Sequence, residues 1–284
     1  MNTIYASPVC EMEELKDIFI ELSAKNCNVR CRECYIDFPF TKNVKDFIKI
    51  DTVKTALKEV ENNNIRTIYL TGAEPMTHPD FNTILRLCIR VADVCICTNA
   101  SFINEKKSRF LKSVETDSKH QIFFKLSFAH WDEMKNDVVR SRGAYRQNIY
   151  AIKCLDKYGF TNILSIANYY NEPHNRIITG FREKMEQQGI DNAIIQITEW
   201  TRSKQGLTGS SEEGNWTLDG KTDCMTSRTL TENGIFSCPF LANDYRGRVG
   251  SDFSNYSKSI RLETDYCQTC LKNKDKMFSV ELEG

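Results

Sequence analysis

Apolar positions follow two rhythms along the first two thirds of the chain. Short β-branched and aromatic runs fall at 17–22, 66–71, 94–97, 123–128, 162–167 and 193–198, and each reads as a buried strand. Between them, apolar residues recur every three or four positions. Val53, Leu57 and Val60 mark a helix over 53–62, and Ile84, Leu85, Cys88 and Ile89 mark one over 81–91. Further helices are predicted over 105–114, 145–158 and 177–188, with Gly159 and Gly189 closing the last two. Regular alternation of strand and helix predicts an α/β fold with a parallel sheet and right-handed crossovers. Either an open sheet or a partial barrel would bind its ligands at the C-terminal ends of the strands.

The rhythm stops near residue 200. Residues 201–223 are rich in Gly, Ser and Thr without periodicity and read as a linker or mobile loop. Residues 224–284 are polar and thin in core residues, so a metal staple would help them fold. The expected organisation is therefore a domain at 1–200, a linker at 201–223 and a small C-terminal unit at 224–284.

Composition narrows the function. The chain has 284 residues, with 38 Lys+Arg against 38 Asp+Glu. Zero net charge argues against a strongly basic nucleic-acid binder or a polybasic membrane binder. No apolar run reaches 18 residues, and the acidic start carries no secretory signal, so a cytoplasmic protein with no membrane or nucleic-acid partner is expected. In that reducing setting, 12 cysteines point to metal or redox chemistry rather than disulfides.

Seven of the cysteines fall into two groups, and five others, Cys10, Cys88, Cys95, Cys97 and Cys154, are scattered. Cys27, Cys31 and Cys34 form C-x3-C-x2-C immediately after the first strand. Three soft thiolates without a neighbouring His suit three irons of a cubane and leave the fourth iron open for chemistry. Cys224 and Cys238, with Gly234 between them, and the C-x2-C pair Cys267 and Cys270 form the second group. Four cysteines in two pairs can close a site completely, around zinc or around an iron–sulfur cluster.

The sequence resembles the radical S-adenosylmethionine (SAM) superfamily. The three-cysteine motif after the first strand is that family's cluster motif. Gly72-Ala73-Glu74-Pro75 is similar to its Gly-Gly-Glu-Pro, and Thr98-Asn99-Ala100 to its Thr-Asn-Gly. The likeness covers about residues 17 to 200 and implies a partial (β/α)6 barrel. The tail resembles the accessory domains called twitch and SPASM, which implies one auxiliary [4Fe–4S] cluster on Cys224, Cys238, Cys267 and Cys270. Two departures stand out. Glu33 replaces the usual aromatic residue before the third cysteine, with Tyr35 as the substitute contact for adenine. Ala73 replaces a glycine, which gives less backbone freedom.

The resemblance implies two [4Fe–4S] clusters, one binding SAM and one auxiliary, and reductive cleavage of SAM to a 5′-deoxyadenosyl radical that abstracts hydrogen from substrate. Tyr35, Gly72, Ala73, Glu74, Asn99, Ser127 and Arg142 are the expected SAM-binding residues, with Glu74 accepting from the SAM ammonium. Glu199, Arg202 and Cys97 are the candidate catalytic residues. Cys97 would serve only if a thiol returns hydrogen to the substrate, and packing is the plainer role for it. An auxiliary cluster favours net oxidation, by dehydrogenation or cross-linking. The expected substrate is a small polyol or aminosugar, because few residues precede the first strand. The alternatives are a ribosomal-peptide maturase, cross-linking or epimerising, and a non-catalytic iron–sulfur or zinc protein. A reductase, flavodoxin or ferredoxin would donate the electron.

Overall fold

The structure, a computed structural model, describes residues 7–36, 44–191, 193–199, 218, 222–273 and 276–282. The elements run β1 (Val9–Glu11), β2 (Asp17–Ser23), α1 (Ile50–Glu59), β3 (Thr67–Gly72), α2 (Phe81–Cys88), β4 (Asp93–Thr98), α3 (Glu105–Thr116), β5 (Ile122–Phe128), α4 (Glu133–Val139), α5 (Ala144–Asp156), β6 (Thr161–Asn168), α6 (His174–Gln187) and β7 (Ile194–Glu199). The C-terminal part adds β8 (Ser227–Thr231), β9 (Gly234–Phe236), β10 (Arg248–Asp252), β11 (Asn255–Tyr256), β12 (Ser259–Arg261) and α7 (Asp265–Asn273).

The six expected strands, β2 to β7, lie side by side in chain order and are all parallel. Both faces of this sheet are covered, which is why its strands read as nearly continuous apolar runs. Alternation along each strand sorts the side chains. Ile18, Ile20, Ile68, Leu70, Val94, Ile96, Phe124 and Leu126 join the core under the helices. Phe19, Tyr69, Cys95, Phe123 and Ile163 form a separate cluster on the opposite face.

The sheet does not stop at residue 200. β8 adds in parallel on the outer side of β2, with Ile18 opposite Arg228 and Ile20 opposite Leu230. An antiparallel run β8-β9-β10-β11 then extends the same sheet to ten strands. The segment expected to form a small separate unit thus shares its sheet with the barrel. The expected linker lies almost wholly outside the described residues. β1 pairs with β12 and brings Cys10 opposite Ile260. These strands of two to five residues, like the seven-residue α4, are too short for a readable period; pairing partners hold them in place.

One buried carboxylate fixes the end of the chain. Asp223 accepts from the amides of Met277 (2.7 Å), Phe278 (2.9 Å) and Ser279 (2.8 Å) and from the Ser279 hydroxyl (2.6 Å). The following residues cross the second face of the sheet, where Phe278, Val280 and Leu282 pack against the Phe19–Tyr69 cluster. There Lys125 Nζ donates to the Phe278 carbonyl at 2.6 Å, and the Val280 amide donates to the Tyr69 hydroxyl at 2.8 Å.

Candidate functional site

The C-terminal ends of β2 to β7 open into a cavity. Cys27, Cys31 and Cys34 line it from the loop after β2. All three are half-buried. Val29 N and Asn99 Nδ2 approach Cys27 Sγ at 3.4 and 3.5 Å. Burial pushes the Cys31 thiol up to about 12, with Arg140 drawing it back. A bound cation that replaces the proton relieves that cost.

The loop after β3 forms the next wall. Gly72 has φ of +119°, and a Cβ there would lie 2.2 Å from the Ser23 carbonyl oxygen, so only glycine fits. Ala73 needs no such freedom. It keeps a negative φ, and its amide donates to that same oxygen at 2.6 Å, so this departure from the Gly-Gly pattern carries no backbone strain. Glu74 is fully buried. Its carboxylate accepts from Met76 N (3.2 Å), Thr98 Oγ1 (2.9 Å) and Asn99 N (2.8 Å), tying the ends of β3 and β4 together. Burial pushes this carboxyl up to about 7 despite those donors.

Tyr35, Asn99, Ser127, Cys97 and Glu199 also line the cavity, as the sequence led us to expect. Tyr35 packs edge-on against Phe240, with ring centroids 5.5 Å apart. The Ser127 hydroxyl donates weakly to the Thr98 carbonyl at 3.4 Å. A hydrogen bond with Cys95 holds the Cys97 thiol below its ordinary range. Glu199 Oε1 pairs with His174 Nε2 at 2.7 Å.

Two expected residues are not among those lining the cavity. Arg142 is exposed; Arg140, two positions earlier, is buried in the cavity wall instead and pairs with Glu33 at 2.8 Å. α4 ends at Val139, so the turn that follows directs Arg140 inward and leaves Arg142 in solvent. Arg202 lies outside the described residues. Sequence reading also missed Lys125, whose charge inside the apolar run 122–128 was a usable signal for a pocket-facing position.

Cys224, Cys238, Cys267 and Cys270 line a second, almost wholly apolar cavity. Cys224 sits in a short 3-10 turn, Cys238 follows β9, and Cys267 and Cys270 occupy one face of α7. Burial raises the thiols of Cys224, Cys238 and Cys270. Phe240, Tyr266 and Phe278 line both cavities. Phe240 stacks on Tyr266 at 4.8 Å and meets Phe278 edge-on at 4.6 Å. Among the described residues no three His, Cys, Asp or Glu side chains converge closely enough for a single metal ion. Both cysteine sets line cavities, and thiols are the donors an iron–sulfur cluster takes.

Among the described residues no helix is long and apolar enough to cross a membrane. The chain is 26% identical over 135 residues to the antilisterial bacteriocin subtilosin biosynthesis protein AlbA of Bacillus subtilis (strain 168). That match takes in 47% of this chain but only 29% of AlbA, so the chain spans under a third of this relative's length. The solved structure of anSMEcpe with bound AdoMet superposes with a TM-score of 0.63 at 15% identity, covering 94% of this chain and 81% of that one. The structure of anSMEcpe with AdoMet and the Cp18Cys peptide gives 0.62 at 14% identity, covering 93% and 84%. At these identities the likeness speaks for the fold alone. The radical SAM superfamily model matches residues 23–178, more than half of the chain and the whole three-cysteine cavity loop, and the chain therefore belongs to the radical SAM superfamily, enzymes of radical chemistry that use a [4Fe–4S] cluster and SAM.

Proposed function

We propose that this enzyme is a peptide maturase that oxidises its substrate by two electrons, aided by an auxiliary [4Fe–4S] cluster on Cys224, Cys238, Cys267 and Cys270. The observation that carries this reading is the wall of Phe240, Tyr266 and Phe278 shared by the two cysteine-lined cavities. In this reading a second redox group would lie directly behind the substrate chamber. The small polyol or aminosugar expected from the sequence is less well supported than the peptide alternative. AlbA serves bacteriocin biosynthesis, and anSMEcpe has been captured with a peptide.

In this reading Cys27, Cys31 and Cys34 hold the SAM-binding cluster. Gly72, Ala73, Glu74, Asn99, Ser127 and Tyr35 cradle SAM, with Glu74 facing its ammonium and Arg140 taking the place expected of Arg142. Bound there, the cluster and SAM would supply a 5′-deoxyadenosyl radical able to take a hydrogen atom from an unactivated position, while the protein contributes position and exclusion of water. The substrate radical would then lose one electron to the group on Cys224, Cys238, Cys267 and Cys270, and one proton. Glu199, paired with the half-exposed His174, would accept that proton and pass it to solvent. Cys97 packs on the second face of the sheet with Cys95, Phe123 and Ile163, and the reading gives it that packing role rather than a part in the chemistry. A flavodoxin- or ferredoxin-type donor supplies the first electron.

The test is anaerobic reconstitution with iron counted per chain, then dithionite and SAM with a panel of synthetic peptides and one of polyols and aminosugars. About eight irons, 5′-deoxyadenosine, and a peptide lighter by two hydrogens would support the proposal. Dehydrogenation of a polyol or aminosugar alone, or an intact chain with four irons and one zinc, would overturn it.

A further inference from the structure

Arg228 on β8 has 0% exposure. Its Nη1 donates to the carbonyls of Cys224 (2.7 Å) and Ser227 (2.8 Å), and its Nη2 to those of Lys258 (2.9 Å) and Ser257 (3.4 Å). Nε donates to nothing. Among the described residues no carboxylate lies within ion-pairing distance of this guanidinium, and the nearby Asp223 carboxylate is taken up by residues 277–279. A guanidinium keeps its charge even when buried. Carbonyl dipoles solvate that charge without neutralising it, and an unpaired buried ion costs several kcal/mol. The groups of opposite potential that face it are the thiols of Cys224, Cys10 and Cys238, along with Tyr256, whose ring centroid is 5.9 Å away. As neutral thiols they compensate nothing. As thiolates around a metal group they give the cavity a net negative charge, which grows by one on reduction.

We infer that Arg228 is the counter-ion of an anionic, thiolate-held group in the four-cysteine cavity, and that its positive charge favours the reduced form of that group. This rests on the auxiliary-cluster reading. Arg228 is a positioning residue in this role; it touches neither substrate nor SAM. The same picture gives Cys10 a place. Sequence reading left it among the scattered cysteines, yet it packs with Cys224, Cys238 and Cys267, as a fifth thiol behind the cavity rather than in its lining.

The experiment uses the full chain carrying Cys27→Ala, Cys31→Ala and Cys34→Ala, reconstituted anaerobically so that only the tail cluster remains. Its reduction is followed by EPR-monitored titration with Arg228 intact, with Arg228→Met and with Arg228→Lys. The Met variant should shift the equilibrium toward the oxidised form at least tenfold, about 59 mV for a one-electron couple. Lys should restore most of it. An unchanged midpoint in a folded, iron-complete Met variant overturns the inference, as does equal loss of the tail metal in the Met and Lys variants. If the three-cysteine background binds no iron even with Arg228 intact, the auxiliary-cluster reading has failed by itself. A melting comparison then decides the counter-ion role for whatever metal the tail holds. Arg228→Met should cost more stability in the metal-loaded chain than in the chelator-stripped chain, and equal cost in both states overturns it.

Discussion

The two cysteine cavities of this enzyme are built in opposite ways. The first draws three cysteines from eight consecutive residues of one loop, half-buried, in a chamber where Glu74, Asn99 and Ser127 stand among apolar side chains. The second draws four from three separate stretches of chain, mostly buried, in an almost wholly apolar space. A contiguous loop loses little chain entropy when it gathers its ligands. Dispersed ligands must be brought together by folding, so whatever binds them adds its binding energy to the fold. The first cavity is suited to chemistry and exchange, the second to holding a group away from water.

Ligand substitution should break the symmetry between them most strongly. Cys224→Ala with Cys267→Ala should lower the melting temperature of the reconstituted chain by about 10 °C or more, through loss of a folding-coupled metal. Cys27→Ala with Cys31→Ala should move it by less than about 2 °C while abolishing 5′-deoxyadenosine formation. Comparable melting losses in the two pairs would remove the distinction.

Arg140 and Arg142 give the next contrast. Arg140→Ala leaves Glu33 buried without its ion-pair partner, and should cost about 3–5 kcal/mol in denaturant unfolding. Arg142→Ala, at an exposed position, should stay within about 0.5 kcal/mol. Asp223→Ala orphans the buried amides of Met277 and Ser279 and the half-buried one of Phe278, at the seam between the cavities, and should cost about 3 kcal/mol. It should also make residues 276–282 exchange amide protons faster, and protection equal to wild type there would refute the clamp.

A pH dependence is expected to be confined to the first cavity. The folded chain keeps Glu74 protonated up to about 7, whereas the unfolded chain releases that proton near 4.5. The stabilising contribution of the protonated carboxyl is therefore complete below 4.5 and is lost as pH rises through about 7. Relative to Glu74→Gln, the wild type should lose up to about 3 kcal/mol between pH 4.5 and pH 8. A difference independent of pH would show that Glu74 is ionised throughout.

Much of this was legible in the sequence, for local reasons. A strand buried on both faces declares itself by its apolar run, and a helix packed on it by spacing of three and four, so β2 to β7 and the helices flanking them could be read directly. The cavity loop was equally plain, because Cys27, Cys31 and Cys34 lie within eight residues and Gly72 to Glu74 follow a strand end. What only the tertiary structure decided are relations between segments far apart in the chain. β8 runs beside β2 because each satisfies the other's backbone, which no pattern inside either strand records. Arg140 faces the cavity and Arg142 the solvent because a helix ends one residue earlier. Arg228 lies in the interior because β8 is an inner strand of the extended sheet. Hydrophobic spacing is set by each element's own period and survives in the sequence; the partner of a buried charge is set by packing, and the sequence keeps no local trace of it.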